Sequence, residues 1–191
     1  MTETTVVAES LSPAVARFVL HWGDLGSQWG VNRSVAQIHA LLYLAEAPMT
    51  AEDIADALGL ARSNVSNSIK ELLAWKLIRR LPMAGDRRDH YQAETDLWEM
   101  VTRIAQGRKQ REIDPAYAAL RASVTEAEQD RRVSTVALER LRAMLAFVET
   151  LNRWHDQMLS LPKSTLATLI KMGAGVTRFL SPGKEGKATK K

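Results

Sequence analysis

The segment from Arg62 to Lys70 carries hydrogen-bonding side chains in a pattern that suits recognition rather than bond-making. Guanidinium, hydroxyl, amide and ammonium groups recur there at helical spacing, whereas Val65, Ile69 and Leu72 fall on the opposite side and would hold a helix to a core. Short donors and acceptors on a rigid helix are what base edges in the major groove of DNA require. The candidate contact residues of this helix are Arg62, Ser63, Asn64, Ser66, Asn67 and Lys70.

A second cationic cluster follows at Gly85-Asp86-Arg87-Arg88, which we expect at the tip of a two-stranded hairpin. An arginine at such a tip gains from the negative potential of a narrow minor groove, and Asp86 could orient the neighbouring guanidinium by a charge-assisted hydrogen bond. Arg87 and Arg88 are therefore candidate wing contacts. Two further candidates for phosphate contact are His90 beside the hairpin and Thr50, through the helix that it caps.

The distribution of acidic and basic residues along the chain agrees with these candidate contacts. Residues 46–60 contain four acidic and no basic residues, whereas residues 62–89 contain seven basic and three acidic ones. Basic residues thus concentrate on the segments expected to meet phosphate. For Arg79 and Arg80 an alternative stays open, because strand residues at that position also serve packing or internal ion pairs.

Capping and breaking residues predict the elements that position these groups. Ser12 and Pro13 begin a helix that runs to about Trp29, and Ser34 caps a second helix through Glu46. Thr50 and Asp53 form a variant capping box that opens a short helix, which Gly59 ends. The polar helix then runs to Trp75, and residues 77–94 alternate as the hairpin, with its first strand at an edge because of Pro82. This order of elements is that of a winged helix-turn-helix.

From Thr95 onward the pattern is helical again, with a kink or a division into two helices at Gly107 and Pro115. A further helix at 135–161 carries an apolar stripe suited to a partner helix, either of a second chain or within the same chain, and an amphipathic piece follows at 164–179. The stripe consists of Leu141, Met144, Val148, Leu151, His155 and Met158. The predicted fold class is mainly α, with a winged helix-turn-helix, a small β-hairpin wing and long N- and C-terminal dimerisation helices. The predicted divisions are a flexible N-terminus (1–11), a dimerisation helix (12–33), the DNA-binding domain (34–94), a helical dimerisation and effector region (95–180) and a disordered basic tail (181–191).

Taken in order, several short motifs of this chain resemble the MarR superfamily of bacterial transcriptional regulators. They are Leu41-Leu42-Tyr43-Leu44, the segments 49–55 and 58–60, Ser63-Asn64-Val65-Ser66, Glu71-Leu72 and the segment 85–88, while Tyr91 to Trp98 resembles the GbsR branch in particular. The resemblance covers roughly residues 13–130. It implies a homodimeric winged-helix repressor, often responsive to a small-molecule effector, with residues 63–70 as the recognition segment and Arg87 and Arg88 in the wing.

The composition and the motifs of the chain argue against other classes of function. The chain of 191 residues contains no cysteine, and its four histidines are dispersed, so we expect no metal site and no cofactor. No nucleophile motif, phosphate-binding loop or cluster of carboxylates supports an enzyme. Met1 to Ser10 is unlike a secretory signal and no apolar run could span a membrane, so a cytoplasmic protein without a membrane partner is expected.

Three tryptophans and a group of glycines leave alternatives open. Trp22, Trp29 and Trp98 could cage a cationic effector through cation–π attraction, or could simply pack in a core or a dimer interface. Gly23, Gly26 and Gly30 resemble a nucleotide loop only superficially, and close approach of another helix explains them better. The preferred prediction is a regulator that binds an inverted-repeat operator in double-stranded DNA as a homodimer. The alternative is a winged-helix module that binds protein and no specific DNA.

Overall fold

The computed structural model describes residues 11–180, with side chains up to residue 173. Within that part the chain is mainly helical, with one small antiparallel sheet, as the sequence predicted. The elements in chain order are α1 (Pro13–Gln28), α2 (Arg33–Leu44), β1 (Met49–Thr50), α3 (Ala51–Leu58), α4 (Arg62–Ala74), β2 (Ile78–Met83), β3 (Asp86–Ala93), α5 (Leu97–Arg108), a π-helical turn (Lys109–Ile113), α6 (Asp114–Gln129), α7 (Thr135–Ser160) and α8 (Lys163–Leu180).

Helices α1 and α2 pack closely because glycines line their contact. A Cβ atom on Gly23 would lie 2.6 Å from Cγ of Gln37, and one on Gly26 would lie 2.5 Å from Cβ of Ala36. Side chains at Gly23 or Gly26 would collide with α2, which confirms close helix approach as the reason for these two small residues. For Gly30 that reason was wrong, because a Cβ atom there would meet nothing within 4 Å, and its φ of 77° shows that the turn after α1 requires glycine. The predicted cap of α1 is also confirmed, since the Ser12 side chain accepts from the amide of Val15.

The predicted cap of α2 was wrong by two residues. Asn32, not Ser34, is the N-cap: its Oδ1 accepts the backbone N–H of Ser34 at 2.9 Å. Both residue types suit an N-cap, and the sequence alone gave no reason to choose the earlier one. The helix also ends at Leu44 rather than Glu46.

The core of residues up to 109 lies between α2, α3, α4 and the sheet. Its most deeply buried side chains include Ile38 of α2, Ile54 of α3, and Val65 and Leu72 of α4, none of them more than 1% exposed. Because Val65 and Leu72 lie on one side of α4, burying them fixes which side of that helix faces outward. The core therefore sets the orientation of the polar face that the sequence singled out.

The sheet has the strand order β1-β3-β2 and is antiparallel throughout. Gly85, with a φ of 83°, makes the tight turn between β2 and β3, a conformation that glycine adopts without strain. The prediction that Pro82 lies on an edge strand is confirmed, since β2 is the outer strand. The strand β1 was not predicted, because two residues carry no alternation that a pattern could reveal.

Helix α5 is fastened to the end of α4 by two contacts. The Arg103 guanidinium donates to the carbonyl oxygen of Lys76 and forms ion pairs with Glu94 and Glu99. One turn further along, Gly107 lies under the ring of Trp75, so close that a Cβ atom there would meet the ring at 2.4 Å. Both contacts lie within the compact unit formed by the residues up to 109.

Residues from 110 onward form a second compact unit, whose best-defined part is the pair α6 and α7. Arg142 of α7 donates to Glu128 of α6 at 2.7 Å, and the Tyr117 hydroxyl donates to Glu149 at 3.0 Å. Between residues 110 and 173, Val124 is the single buried side chain. Several large apolar side chains of α7 are instead more than 45% exposed, namely Val136, Met144, Phe147, Leu151 and Trp154.

The division predicted near Gly107 and Pro115 is present, as the π-helical turn between α5 and α6. The predicted disordered tail at 181–191, and all of the predicted flexible N-terminus except Leu11, lie outside the described residues. No helix in the described part of the chain is long and apolar enough to cross a membrane. The same described residues contain no group of three or more His, Asp or Glu side chains that could hold a metal ion.

Candidate nucleic-acid interface

The capping box predicted at the start of α3 is present in full. The Thr50 hydroxyl accepts the backbone N–H of Asp53 at 3.1 Å, and Asp53 in turn accepts the backbone N–H of Thr50 at 2.9 Å. The hydrogen bonds from Thr50 hold the pKa of the Asp53 carboxyl below its usual range. Thr50 itself is only 2% exposed. Its side chain thus fixes the start of α3, and the phosphate contact predicted through the N-terminus of that helix stays a prediction.

A left-handed glycine makes the turn from α3 to α4. Gly59 has a φ of 62°, and the N–H of the next residue, Leu60, donates to the carbonyl of Ala55 at 3.0 Å. Helix α4 then begins after Ala61, which provides no side-chain cap. The first N–H groups of α4 are therefore left for solvent or for an external acceptor.

Five of the six predicted contact residues on α4 are exposed. They recur at the spacing of one helix face, opposite the buried side chains that hold α4 to the core. Lys70 has no hydrogen-bond or ion-pair partner among the described residues, so its ammonium group is available. The five exposed residues are Arg62, Ser63, Ser66, Asn67 and Lys70.

Asn64, the sixth, is placed differently from the prediction. Its side chain is half-buried, its amide Nδ2 donates to Oγ of Ser34 at 2.8 Å, and its Oδ1 accepts from the buried Ser68 hydroxyl at 3.4 Å. Ser34 is 30 residues away in the sequence, so no local pattern could reveal this hydrogen bond. Asn64 ties α4 to the start of α2 and is not part of the outward face.

The two wing arginines differ in how much of their charge is engaged. Arg87 is exposed and has no partner among the described residues. Arg88 instead donates hydrogen bonds to the Asp86 carboxylate through its Nε and Nη2 atoms, at 2.6–3.1 Å. This fork confirms the predicted orientation of a neighbouring guanidinium by Asp86. Its hydrogen bonds depress the pKa of the Asp86 carboxyl and raise that of Arg88.

His90 lies beneath this fork rather than on the surface. It is 8% exposed, its Nδ1 lies 3.1 Å from the carbonyl oxygen of Arg88, and its Nε2 lies 3.6 Å from Asp86. The predicted phosphate contact by His90 is therefore not available from this position. Strand alternation could not have predicted this burial, because the consecutive residues His90 and Tyr91 are both buried in β3.

One acidic residue of the surface was missed by the sequence reasoning. The Glu52 carboxylate of α3 lies 3.4 Å from Nη1 of Arg62 and 3.6 Å from Nη1 of Arg88, and so bridges α4 and the wing. Only the fold brings these three residues together, since 36 residues separate Glu52 from Arg88.

The remaining strand arginines pair across the hairpin. Arg79 donates to the side chain of Gln92 at 2.8 Å, and Arg80 lies 3.2 Å from the carboxylate of Asp89. Of the two alternatives left open by the sequence, internal pairing is the one that these contacts favour.

The three tryptophans proposed for an effector have different surroundings in the structure. Trp22 stacks on Phe18 with ring centroids 5.5 Å apart, Trp29 is 71% exposed, and Trp98 is half-buried at the start of α5. Among the described side chains no ring contact joins Trp22, Trp29 and Trp98. An effector site at these residues stays a prediction.

Comparison with known proteins agrees with this architecture. Residues 29–89 match the sequence model of the MarR family. A protein of Bacillus subtilis (strain 168), "Putative HTH-type transcriptional regulator YvaV", is 24% identical over 71 residues, or 37% of this chain. The match spans 40% of that relative's length. The GbsR-like branch suggested by Tyr91 to Trp98 is not confirmed.

A solved structure described as "Crystal Structure of a transcriptional regulator" shares the fold. It superposes with a TM-score of 0.61 at 17% identity, over 77% of this chain and 96% of that one. The matched family segment, residues 29–89, begins just before α2 and ends within β3, so it spans the helix-turn-helix and most of the wing. Over these residues the chain therefore has the winged-helix fold, and its sequence is similar to the MarR family.

Proposed function

We propose that this chain is a transcriptional regulator that binds double-stranded DNA in a sequence-specific manner. The observation that carries the proposal is the outward face of α4, where Arg62, Ser63, Ser66, Asn67 and Lys70 are all exposed on a helix whose other side is locked in the core. A helix of this width fits the major groove, and its hydroxyl, amide and cationic groups can pair with base edges. The face has the composition that recognition of bases requires.

Within this proposal the residues divide into two roles. Asn67, Ser63 and Ser66 contact base edges, because their short side chains can both donate and accept. Lys70 and Arg87 are cations with no partner in the described part of the chain, and they neutralise phosphates or enter the adjacent minor groove. The uncapped first turn of α4 adds backbone N–H donors for a phosphate. Three less exposed residues hold the elements of this surface in place through their hydrogen bonds, namely Thr50, Asn64 and His90.

The regulator acts as a homodimer on an inverted repeat. Two exposed apolar stripes support this part of the proposal: one on α1, formed by Phe18, Trp22, Leu25 and Trp29, and the α7 stripe, formed by Met144, Phe147, Leu151 and Trp154. Exposed apolar surface of this kind marks an interaction site. With two-fold symmetry, the half-sites lie about one helical turn apart, roughly 34–36 Å.

We further propose that the dimer represses transcription and releases its operator when an effector binds. The likeness to the MarR family supports this step. An effector can change DNA affinity only if it binds the two arrangements of the dimer with different affinity. Thermal-shift screening with small organic cations, followed by DNA-binding assays for every hit, tests this step.

The experiment for the central proposal is selection of bound duplexes from a random-sequence pool, followed by footprinting of the enriched sequence. We expect one enriched inverted repeat, protected on one face of the duplex over two half-sites. Enrichment of no sequence, together with binding of a protein partner through the same helix, would support an interaction module instead.

A further inference from the structure

The Glu52 carboxylate lies between two of the arginines nearest the proposed DNA surface and shares its single negative charge with both. Its two carboxylate oxygens face Arg62 of α4 and Arg88 of the wing at 3.4 and 3.6 Å. All three side chains are open to solvent, with exposed fractions of 48% for Glu52, 79% for Arg62 and 55% for Arg88. The bridge therefore lies at the surface, where an approaching phosphate can reach it.

The bridge is much looser than the fork between Arg88 and Asp86. Charge-assisted hydrogen bonds between these groups measure about 2.7–2.9 Å, and the Asp86 oxygens approach Arg88 to 2.6 Å while those of Glu52 stay beyond 3.3 Å. Exposed ion pairs of such geometry contribute little to stability because water and salt screen them. Glu52 can thus be exchanged for another anion, whereas Asp86 keeps Arg88 in place.

The local balance of charge shows what this exchange involves. Around the bridge, the carboxylates of Glu52, Asp53 and Asp86 outnumber the guanidinium groups of Arg62 and Arg88 by one. A phosphate that binds either arginine must displace Glu52 and then remain close to its negative charge. By contrast, Lys70 and Arg87 offer their charge without any such competition.

We propose that Glu52 is an internal competitor for DNA phosphate, which holds Arg62 and Arg88 until a duplex displaces it. This inference rests on the proposed function. Phosphate contacts carry no sequence information, so the competition lowers affinity for matched and unmatched duplexes by the same factor. It also lowers the number of counterions released on binding, because the two arginines arrive at the DNA already sharing one negative charge.

The test uses the full-length protein and its Glu52→Gln variant, with the duplex selected by the wild type and a shuffled duplex of the same composition. Fluorescence anisotropy measures affinity for both between 50 and 200 mM salt. We expect the variant to bind both duplexes more tightly at 50 mM, on the order of tenfold, and its plot of log affinity against log salt to be steeper by about 0.9.

Asp56→Asn is the matched control. Asp56 is an exposed acid on the same helix, one turn further along, without a partner among the described residues, so it reports the general effect of removing one charge. We expect a clearly smaller gain for this variant. In an Arg62→Ala/Arg88→Ala background, Glu52→Gln should give no more gain than Asp56→Asn, because the competition needs the arginines.

The possible outcomes distinguish a failure of this inference from a failure of the proposed DNA-binding function. If the wild type binds DNA and Glu52→Gln matches Asp56→Asn, weakens binding or changes only one duplex, Glu52 is no phosphate competitor although the function stands. If the wild type binds neither duplex at 50 mM salt, the function and this inference fall together. Thermal melting by circular dichroism shows that each variant is folded, and Glu52→Ala provides a second variant of the same position.

Discussion

The two compact units of the chain bury their apolar side chains to very different extents. Up to residue 109, eighteen buried apolar residues form one core beneath the proposed recognition surface. From 110 to 173 Val124 alone is buried, and the 26-residue helix α7 has no buried side chain at all. The first unit has the core that independent folding requires, whereas the second exposes the kind of apolar surface that a further chain would cover.

This difference assigns different tasks to the two units. A dense core resists deformation, so the first unit can hold the α4 face and the wing at a fixed spacing. A helix such as α7, with large apolar side chains exposed, gains free energy when a partner covers them. We therefore attribute recognition to the first unit, and self-association mainly to the second with a contribution from the exposed α1 stripe of the first. The following variants are chosen to break or sharpen that assignment.

The largest effect is expected from Ile38→Ala in the core of the first unit. Ile38 is fully buried, and truncating such a side chain costs about 2–5 kcal/mol of unfolding free energy. Urea unfolding followed by tryptophan fluorescence measures the loss. The control is Val101→Ala on α5, which is 58% exposed and should change stability by less than about 0.5 kcal/mol. If both variants lose the same unfolding free energy, burial of Ile38 in this core does not stabilise the first unit.

The second effect concerns pH and the buried His39 of α2. Burial lowers its pKa to about 4, and its Nε2 has no hydrogen-bond partner in the described structure. Because the unfolded chain takes up a proton near pH 6.5 and the folded one does not, stability falls as pH drops from 6.5 to 4, by about 3 kcal/mol. Unfolding of the wild type and His39→Leu should show this loss in the wild type alone. If the unfolding free energies of the wild type and of His39→Leu change in parallel with pH, His39 is not the cause.

The third effect tests the second unit, through Phe147→Glu and Trp154→Glu on α7. Both side chains are more than half exposed. If they lie in a dimer interface, a buried charge there weakens association by at least about 2 kcal/mol, or roughly 30-fold. Analytical ultracentrifugation should show more monomer, and circular dichroism should show the first unit folded as before. An unchanged oligomeric state would exclude the α7 stripe from the interface.

The smallest effect separates two asparagines of α4. Asn67→Ala should cost about 1–3 kcal/mol on the selected duplex and relax base preference at one position. Asn64→Ala should instead lower the stability of the protein by about 1 kcal/mol, through loss of its hydrogen bond to Ser34, with base preference unchanged. Binding to a panel of single-base duplexes, together with thermal melting, tells the two apart. The account of the α4 face is wrong if the phenotypes are reversed.

Local chemistry made much of the first unit predictable. The Thr50 capping box, Gly59, the hairpin around Gly85 and the edge strand with Pro82 each depend on residues within a few positions of one another. Such features follow from the sequence because the groups that interact are neighbours in the chain.

What could not be predicted depends on contacts between distant segments. The hydrogen bond of Asn64 to Ser34, the bridge from Glu52 to Arg88 and the packing of Gly107 against Trp75 all join residues more than 25 positions apart. These contacts decide which polar groups of the site remain available. The sequence therefore predicted the elements that carry the proposed surface and misplaced individual side chains, such as the buried His90.

The most direct test of the central claim is the salt dependence of binding to the selected duplex by the wild type and by Arg87→Ala. If six to ten phosphates are contacted, affinity should fall roughly 10³- to 10⁵-fold between 50 and 200 mM salt. Loss of the unpaired Arg87 should make the slope of log affinity against log salt shallower by about 0.9. A wild-type affinity that does not depend on salt, or an Arg87→Ala variant with an unchanged slope, would contradict the account.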